Sequence, residues 1–233
     1  VDLTVEGGAA LRPMDGEVTR WEHRLDMREA ITYRTVEFRD PEGRETRIET
    51  ARFVSMDSPH LAALRYTVTP LNYSGSISLL SSLDGEVINY GVERYRPLES
   101  RHLRTVKTES KDGNIRLESK TIRSDITVSL EAHHQLYRDG ARQEIEGTIA
   151  QGESSISERF RIDVEEGRGY ELQKIVWIGT DRPWPIEKGS LPRLSALKFE
   201  ELVASHRKRW EELWEVAERE LSGDRLVQTA SRL

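Results

Sequence analysis

The chain has 233 residues, a formal net charge of −6 and no cysteine. This length suits one large β domain and is enough to bury a stable core without disulfide bonds or a structural metal. The lack of cysteine excludes a cysteine nucleophile and a thiolate-ligated metal site, and it fits a reducing, cytoplasmic location. The acidic balance argues against binding to nucleic acid or to an anionic membrane. No apolar run approaches the ~20 residues of a membrane-spanning helix.

The first part of the chain reads as β structure. Over residues 1–184, short β-prone runs alternate with turn signals. Asp112-Gly113 and Asp139-Gly140 predict tight hairpins, because such turns need residues that accept positive φ. The second pair separates a predicted strand over residues 126–137 from one over 143–149. Many strands at this spacing predict a large antiparallel sandwich or barrel rather than βαβ units.

A Pro- and Gly-rich stretch, residues 181–192, then marks a change to helical sequence. The apolar positions that follow fall close to helical spacing, and they are Leu197, Leu202, Val203, His206, Trp210, Leu213, Trp214 and Ala217. They predict an amphipathic helix over residues 194–221, of about five or six turns. The helical pattern that resumes after Gly223 is too short to be stable alone, so we expect the natural polypeptide to continue beyond Leu233.

No motif of a known catalytic or phosphate-binding type is present. His133 and His134 are adjacent on a predicted strand and should point to opposite faces, so they cannot hold one metal ion together. No spacing marks a carboxylate pair suited to acid–base catalysis. We expect His206 to pack against Trp210 and to donate a hydrogen bond at a domain junction. The residues alone therefore predict no catalytic, metal or cofactor site.

Five motifs follow one another along nearly the whole chain. They are Leu25-Asp26-Met27-Arg28 with Tyr33-Arg34, Arg52-Phe53-Val54-Ser55 with His60-Leu61-Ala62, Thr69-Pro70-Leu71-Asn72-Tyr73, Leu172-Gln173-Lys174-Ile175-Val176, and His206-Arg207-Lys208-Arg209-Trp210. In this order and spacing they resemble the N-terminal region of glycoside hydrolase family 65, which includes maltose, trehalose and kojibiose phosphorylases. One departure is Ala30, where the family pattern has glycine.

The resemblance implies a fold and a domain order. The fold is a large antiparallel β super-sandwich, similar to galactose mutarotase, with a C-terminal helical linker. We expect the sandwich over residues 1–190, without its first strands, the linker over 191–222, and the start of an (α/α) barrel over 223–233. Val1 already lies in strand-like sequence, so we expect the chain to be a piece of a longer protein.

The resemblance also implies a function. The chain would be the non-catalytic N-terminal region of a phosphorylase or hydrolase that acts on α-linked glucose disaccharides. It would support the barrel and its active-site rim, contribute to a homodimer, and use no organic cofactor. The catalytic residues would lie in the barrel, outside this chain, and inorganic phosphate would be the co-substrate of a phosphorylase.

Two other functions stay open at this point. A stand-alone carbohydrate-binding module would use Trp177 or Trp184 as a platform for a sugar ring, although packing is the simpler role for both residues. A mutarotase-like enzyme would need a histidine and a carboxylate in one cleft. Its candidate histidines are His102, His133 and His134.

Overall fold

The computed structural model describes residues 1–5, 11–89, 100–182, 193–217 and 226–227. Within these ranges the chain forms thirteen β-strands and one α-helix. The strands are β1 (Asp2–Val5), β2 (Glu17–Asp26), β3 (Ile31–Arg39), β4 (Glu45–Val54), β5 (Leu61–Pro70), β6 (Gly75–Asp84), β7 (Leu103–Lys111), β8 (Asn114–Thr121), β9 (Thr127–Arg138), β10 (Ala141–Gln143), β11 (Thr148–Gln151), β12 (Ser155–Val164) and β13 (Tyr170–Thr180). The helix is α1 (Phe199–Ala217).

The strands form two antiparallel sheets that pack face to face. The larger sheet has nine strands in the order β2-β3-β4-β5-β13-β9-β8-β7, with β10 paired to β9, and the smaller sheet has the order β1-β6-β12-β11. Alternate residues of both sheets point inward and form the main core, which includes Leu3, Val36, Phe38, Val68, Leu79, Phe160 and Leu172. The predicted antiparallel sandwich is confirmed.

The predicted hairpins are also confirmed. Asp112 and Gly113 join β7 to β8 with φ angles of 53° and 73°, and Asp139 and Gly140 join β9 to β10 with φ angles of 47° and 80°. The prediction of a single strand over residues 143–149 is wrong. After the three-residue β10 the chain leaves the larger sheet, and residues 148–151 pair with β12 in the smaller sheet. Because each sheet lies on one side of the core, one straight strand cannot belong to both.

The large sheet carries apolar residues on both faces. Its outer face forms a second core with α1, in which Phe199, Leu202 and Val203 are buried against the sheet. The sheet residues of this second core are Ile31, Ala51, Phe53, Leu61, Ala63 and Ile175. The Phe53 and Phe199 rings meet edge to face at 5.6 Å, a favourable aromatic geometry. The strands in the middle of the large sheet are therefore covered on both sides.

The helix begins later than the sequence predicts. Residues Leu194–Ala196 form a single 3₁₀ turn and Leu197 has extended dihedral angles, so α1 starts at Phe199 rather than at residue 194. The cause is Gln135 of β9, whose Nε2 donates to the carbonyl oxygens of Ser195 and Leu197 at 3.3 and 3.2 Å. These bonds hold the carbonyls toward the sheet. The predicted end of the helix at residue 221 lies outside the described residues.

No helix in the ranges that the structure describes is long and apolar enough to cross a membrane.

Candidate functional site

The junction between α1 and the large sheet is built around His206. Its side chain is buried beside the Phe53 ring, with 4.7 Å between ring centroids. Its Nδ1 accepts a hydrogen bond from the Met56 N–H at 3.0 Å, and its Nε2 donates to the Glu29 carbonyl oxygen at 2.7 Å. These two bonds fix the neutral tautomer with the proton on Nε2, and burial lowers the pKa of His206. The expected hydrogen bond donated by His206 is confirmed.

Further along α1, two tryptophans extend the junction. The rings of Trp210 and Trp214 stack at 5.9 Å and are both partly buried. The Trp214 Nε1 donates to the Arg28 carbonyl oxygen at 2.9 Å, and Arg207 pairs with Glu29 at 2.9 Å. The helix therefore folds back on the sandwich, and these two bonds both reach the turn between β2 and β3.

That turn has an unusual backbone conformation at Ala30. The φ angle of Ala30 is 51°, in the left-handed region where glycine is most easily accommodated. Ala30 is also the position at which the motif resemblance described above leads us to expect glycine. Alanine keeps the left-handed geometry at a cost of about 1–2 kcal/mol relative to its preferred conformations.

A groove of about 680 Å³ lies next to Trp210, at the end of the large sheet. Most of its lining is apolar and comes from Ala30, Phe53, Val54, Met56, Ala62, Leu64 and Val176. The long polar side chains in its lining are Arg52 and Lys174. Val54 is 67% exposed and Met56 is 40% exposed, so the groove opens to solvent.

Lys174 belongs to one of the five sequence motifs, but the sequence indicates no role for it. It lies on the inner face of β13, where its Nζ donates to the Ser82 carbonyl oxygen of the opposite sheet at 2.8 Å. Burial lowers the pKa of Lys174 to about 8. The only sequence signal is a lysine on the inward side of a strand between Leu172 and Val176. That signal is weak, because a long lysine side chain commonly reaches solvent from such a position.

The histidine pair divides between the two faces of β9, as predicted. The Nδ1 of His133 lies 2.9 Å from the Asn114 side-chain oxygen on the outer face. His134 is buried between the sheets, where its Nδ1 lies 2.7 Å from Glu158 and its Nε2 lies 2.9 Å from Ser81. Burial lowers the pKa of His134 despite the neighbouring carboxylate.

This arrangement bears on the mutarotase-like alternative. His134 and Glu158 do form a histidine–carboxylate pair, but both ring nitrogens of His134 are already engaged by protein side chains. Neither nitrogen is left to exchange a proton with a sugar. His102 is exposed and does not join the pair. The pair instead links the two sheets, since Ser81 and Glu158 belong to the smaller one.

Of the two candidate sugar platforms, the structure describes Trp177 alone. Trp177 lies at 6.0 Å from the His60 ring in a stacked geometry and packs against the core under α1, which is the structural role expected for it. Trp184 lies outside the described residues. Among the residues that the structure describes, no group of three or more His, Asp or Glu side chains could hold a metal ion.

Comparison with known proteins identifies the family. The sequence pattern of the glycosyl hydrolase family 65 N-terminal domain matches residues 1–213. The chain belongs to glycosyl hydrolase family 65. Its α1 junction is therefore part of a family 65 N-terminal domain, and the resemblance found in the sequence motifs is confirmed.

The chain is similar to several family 65 proteins. An uncharacterized glycosyl hydrolase of Mycobacterium tuberculosis is 30% identical over 224 residues, which cover 94% of this chain and 17% of that protein. Kojibiose phosphorylase of Thermoanaerobacter brockii is 31% identical over 222 residues, covering 89% of this chain and 28% of the enzyme. The α,α-trehalose phosphorylase of the same organism is 24% identical, and the match covers 94% of this chain and 29% of that enzyme. The chain spans less than a third of the length of these relatives.

A solved structure supports the fold. The chain is similar to a protein described as a candidate kojibiose phosphorylase from the human microbiome, with a TM-score of 0.73 and 15% identity. The similarity covers 92% of this chain and 27% of that protein. At this level of identity the comparison establishes the super-sandwich fold alone.

The buried histidines predict a loss of stability in acid. His134 and His206 both have a lowered pKa, so the unfolded chain binds more protons than the folded chain below about pH 6.5. Their contribution to stability is complete above that pH and is lost as the pH falls. We expect the thermal unfolding midpoint to drop between about pH 7.5 and 5.5, and the drop to shrink in His206→Gln.

The exposed His102 provides the control for this measurement. His102→Gln should leave the unfolding midpoint at pH 7.5 unchanged, because the side chain of His102 is exposed and the substitution removes no buried contact. An identical pH dependence in wild type and His206→Gln would show that His206 is not held neutral at the junction.

Proposed function

We propose that this chain is the non-catalytic N-terminal part of an α-glucoside phosphorylase or hydrolase, and that the end of α1 carries its contact with the catalytic domain. The observation that carries this proposal is the exposure of apolar residues on a helix that is otherwise firmly attached. Val216 is 89% exposed and Leu213 is 40% exposed, beyond the buried His206 on the same helix. Because Leu213 and Val216 lie one turn apart, they form an exposed apolar patch on one side of the helix, and such patches are typical of interaction sites.

The attachment of α1 suits this role. Buried contacts at Phe199, Leu202 and His206 fix the first half of the helix on the sheet. The bond from Trp214 to the Arg28 carbonyl then fixes the direction of the second half. A rigid helix holds a neighbouring domain in one position, which an active site shared between domains requires.

The relatives support a substrate class. Two are named for phosphorolysis of kojibiose and of trehalose, both glucose disaccharides with an α linkage. In an inverting phosphorylase, one carboxylic acid protonates the glycosidic oxygen while phosphate attacks from the opposite face. We assign those groups to the remainder of the whole protein, because this chain spans less than a third of the length of these relatives.

The isolated chain should therefore be inactive. Incubation of the purified chain with kojibiose, trehalose or maltose should release no glucose in water and no glucose 1-phosphate in phosphate buffer. The whole protein under the same conditions serves as the positive control. Release above a control without protein would contradict the assignment of this chain as a non-catalytic part.

A substitution at the exposed end of α1 should affect the whole protein but not the isolated chain. We expect Val216→Arg to change the stability of the isolated chain by less than about 0.5 kcal/mol, because Val216 is already solvated. In the whole protein the same change should bury a charge against the catalytic domain, and it should lower the unfolding temperature and the phosphorolysis or hydrolysis rate.

Ala204→Arg is the matched control, since Ala204 is also exposed but lies about 120° around the helix from Val216. Ala204→Arg should leave the stability of the isolated chain unchanged, and it should leave the stability and activity of the whole protein unchanged. If Val216→Arg leaves the activity and stability of the whole protein unchanged, this end of α1 does not carry the domain contact.

A further inference from the structure

Strand β2 is a long edge of the larger sheet. Among the described strands it pairs with β3 alone, and nine of its ten residues are exposed. A bulge between Val18 and Arg20 interrupts the ladder near the start of the strand. A regular stretch remains, from Arg20 to Asp26. An edge of this length presents unpaired backbone groups that can accept another strand.

The two faces of this stretch differ in chemistry. Arg20, Glu22, Arg24 and Asp26 lie opposite outer-face residues of β3 and form one row of alternating charge. Trp21, His23 and Leu25 form the other row, opposite Val36, Arg34 and Thr32. Trp21 is 64% exposed and Leu25 is 56% exposed, which is unusual for large apolar side chains.

We propose that β2 pairs with β2 of a second copy of this chain, antiparallel and centred on His23. In that register Arg20 lies opposite Asp26 of the second copy, and Glu22 lies opposite Arg24. Trp21 lies opposite Leu25, and the two-fold axis passes between the two His23 residues. The charged residues that face each other carry opposite charges, and Trp21 faces the apolar Leu25. Both kinds of cross-strand pair stabilise antiparallel strands. The two large sheets become one continuous sheet.

The charge pattern selects this register over its neighbours. A two-fold axis perpendicular to the sheet keeps each residue on its own face, so the register can shift only by moving the centre to another residue of the strand. Centring on Glu22 would place Glu22 opposite Glu22 and Arg20 opposite Arg24. Centring on Arg24 would place Arg24 opposite Arg24 and Glu22 opposite Asp26. Both alternatives bring like charges together, which is destabilising.

The charged row is already ordered within one chain. Arg24 Nη1 lies 2.9 Å from Asp26 Oδ2, and Arg20 Nη2 lies 3.5 Å from Glu22 Oε2. The Arg24 guanidinium also lies 4.5 Å from the centre of the Tyr33 ring. Because these side chains are held in place before pairing, less conformational entropy is lost when the second copy adds its opposite charges.

Sedimentation equilibrium of the 233-residue chain tests the proposal. We expect a monomer–dimer equilibrium over roughly 1–100 μM protein, with a dissociation constant that rises with salt. Glu22→Arg brings a second guanidinium group opposite Arg24 at both symmetry-related positions, and it should weaken dimerisation by roughly tenfold or more. The combined exchange Glu22→Arg with Arg24→Glu restores opposite charges at both positions and should recover the dimer.

Asp163→Arg is the control, because it makes the same kind of charge change at an exposed position of β12 in the other sheet. It should leave the dissociation constant unchanged, and circular dichroism should show that all variants fold. A monomer at every concentration would overturn the proposal. So would a dimer that Glu22→Arg does not weaken, or one that the combined exchange does not restore.

Discussion

The imidazole of His206 is the contact on which the position of α1 depends. It joins the helix to two separate backbone segments, since it accepts from the Met56 N–H and donates to the Glu29 carbonyl. The Met56 segment follows β4 and the Glu29 segment precedes β3, so one side chain connects the helix with the end of β4 and the start of β3. If the helix moved away without water replacing it, these polar groups would lose their partners. Each unsatisfied group costs about 1–3 kcal/mol.

The helix can sit there because the large sheet is apolar on both faces. The inner face packs on the smaller sheet, and residues such as Phe53 and Ile175 on the outer face pack under α1. If the outer face of the sheet were polar and exposed to solvent, there would be no second core for the helix to pack against. Exposed apolar residues lie where this coverage ends, at Val54 and Met56 beside the groove and on the edge strand β2. The two proposed interactions, with a catalytic domain and with a second copy, use different residues.

Local sequence signals predicted much of the architecture. The Asp-Gly pairs predicted two hairpins because the requirement for positive φ lies within the turn itself. The periodicity around Leu202, Val203 and His206 predicted an amphipathic helix, and the ordered motifs predicted the family. In contrast, the sequence predicts a start of α1 that is several residues too early, because the deciding bonds come from Gln135, which is distant in the chain.

The remaining features depend on contacts between distant strands. The bridge from His134 to Ser81 and Glu158 joins strands of two sheets, and no spacing in the sequence indicates that these three residues meet. Similarly, the strand predicted over residues 143–149 divides between two sheets, which only the packing of the sandwich reveals. The alternating charges of β2 are visible in the sequence, but their self-complementarity has meaning only once β2 is known to be an edge.

Amide hydrogen exchange across α1 tests the central claim, that the helix and the large sheet form one cooperative unit. If His206 and the outer-face core hold the helix as described, amides over residues 203–210 should exchange within about tenfold of the rate of the slowest amides in β5. That result would show that the helix opens only when the sheet unfolds. Exchange in these residues that is about a thousandfold faster than in β5 would show that the helix opens by itself, and would contradict the account.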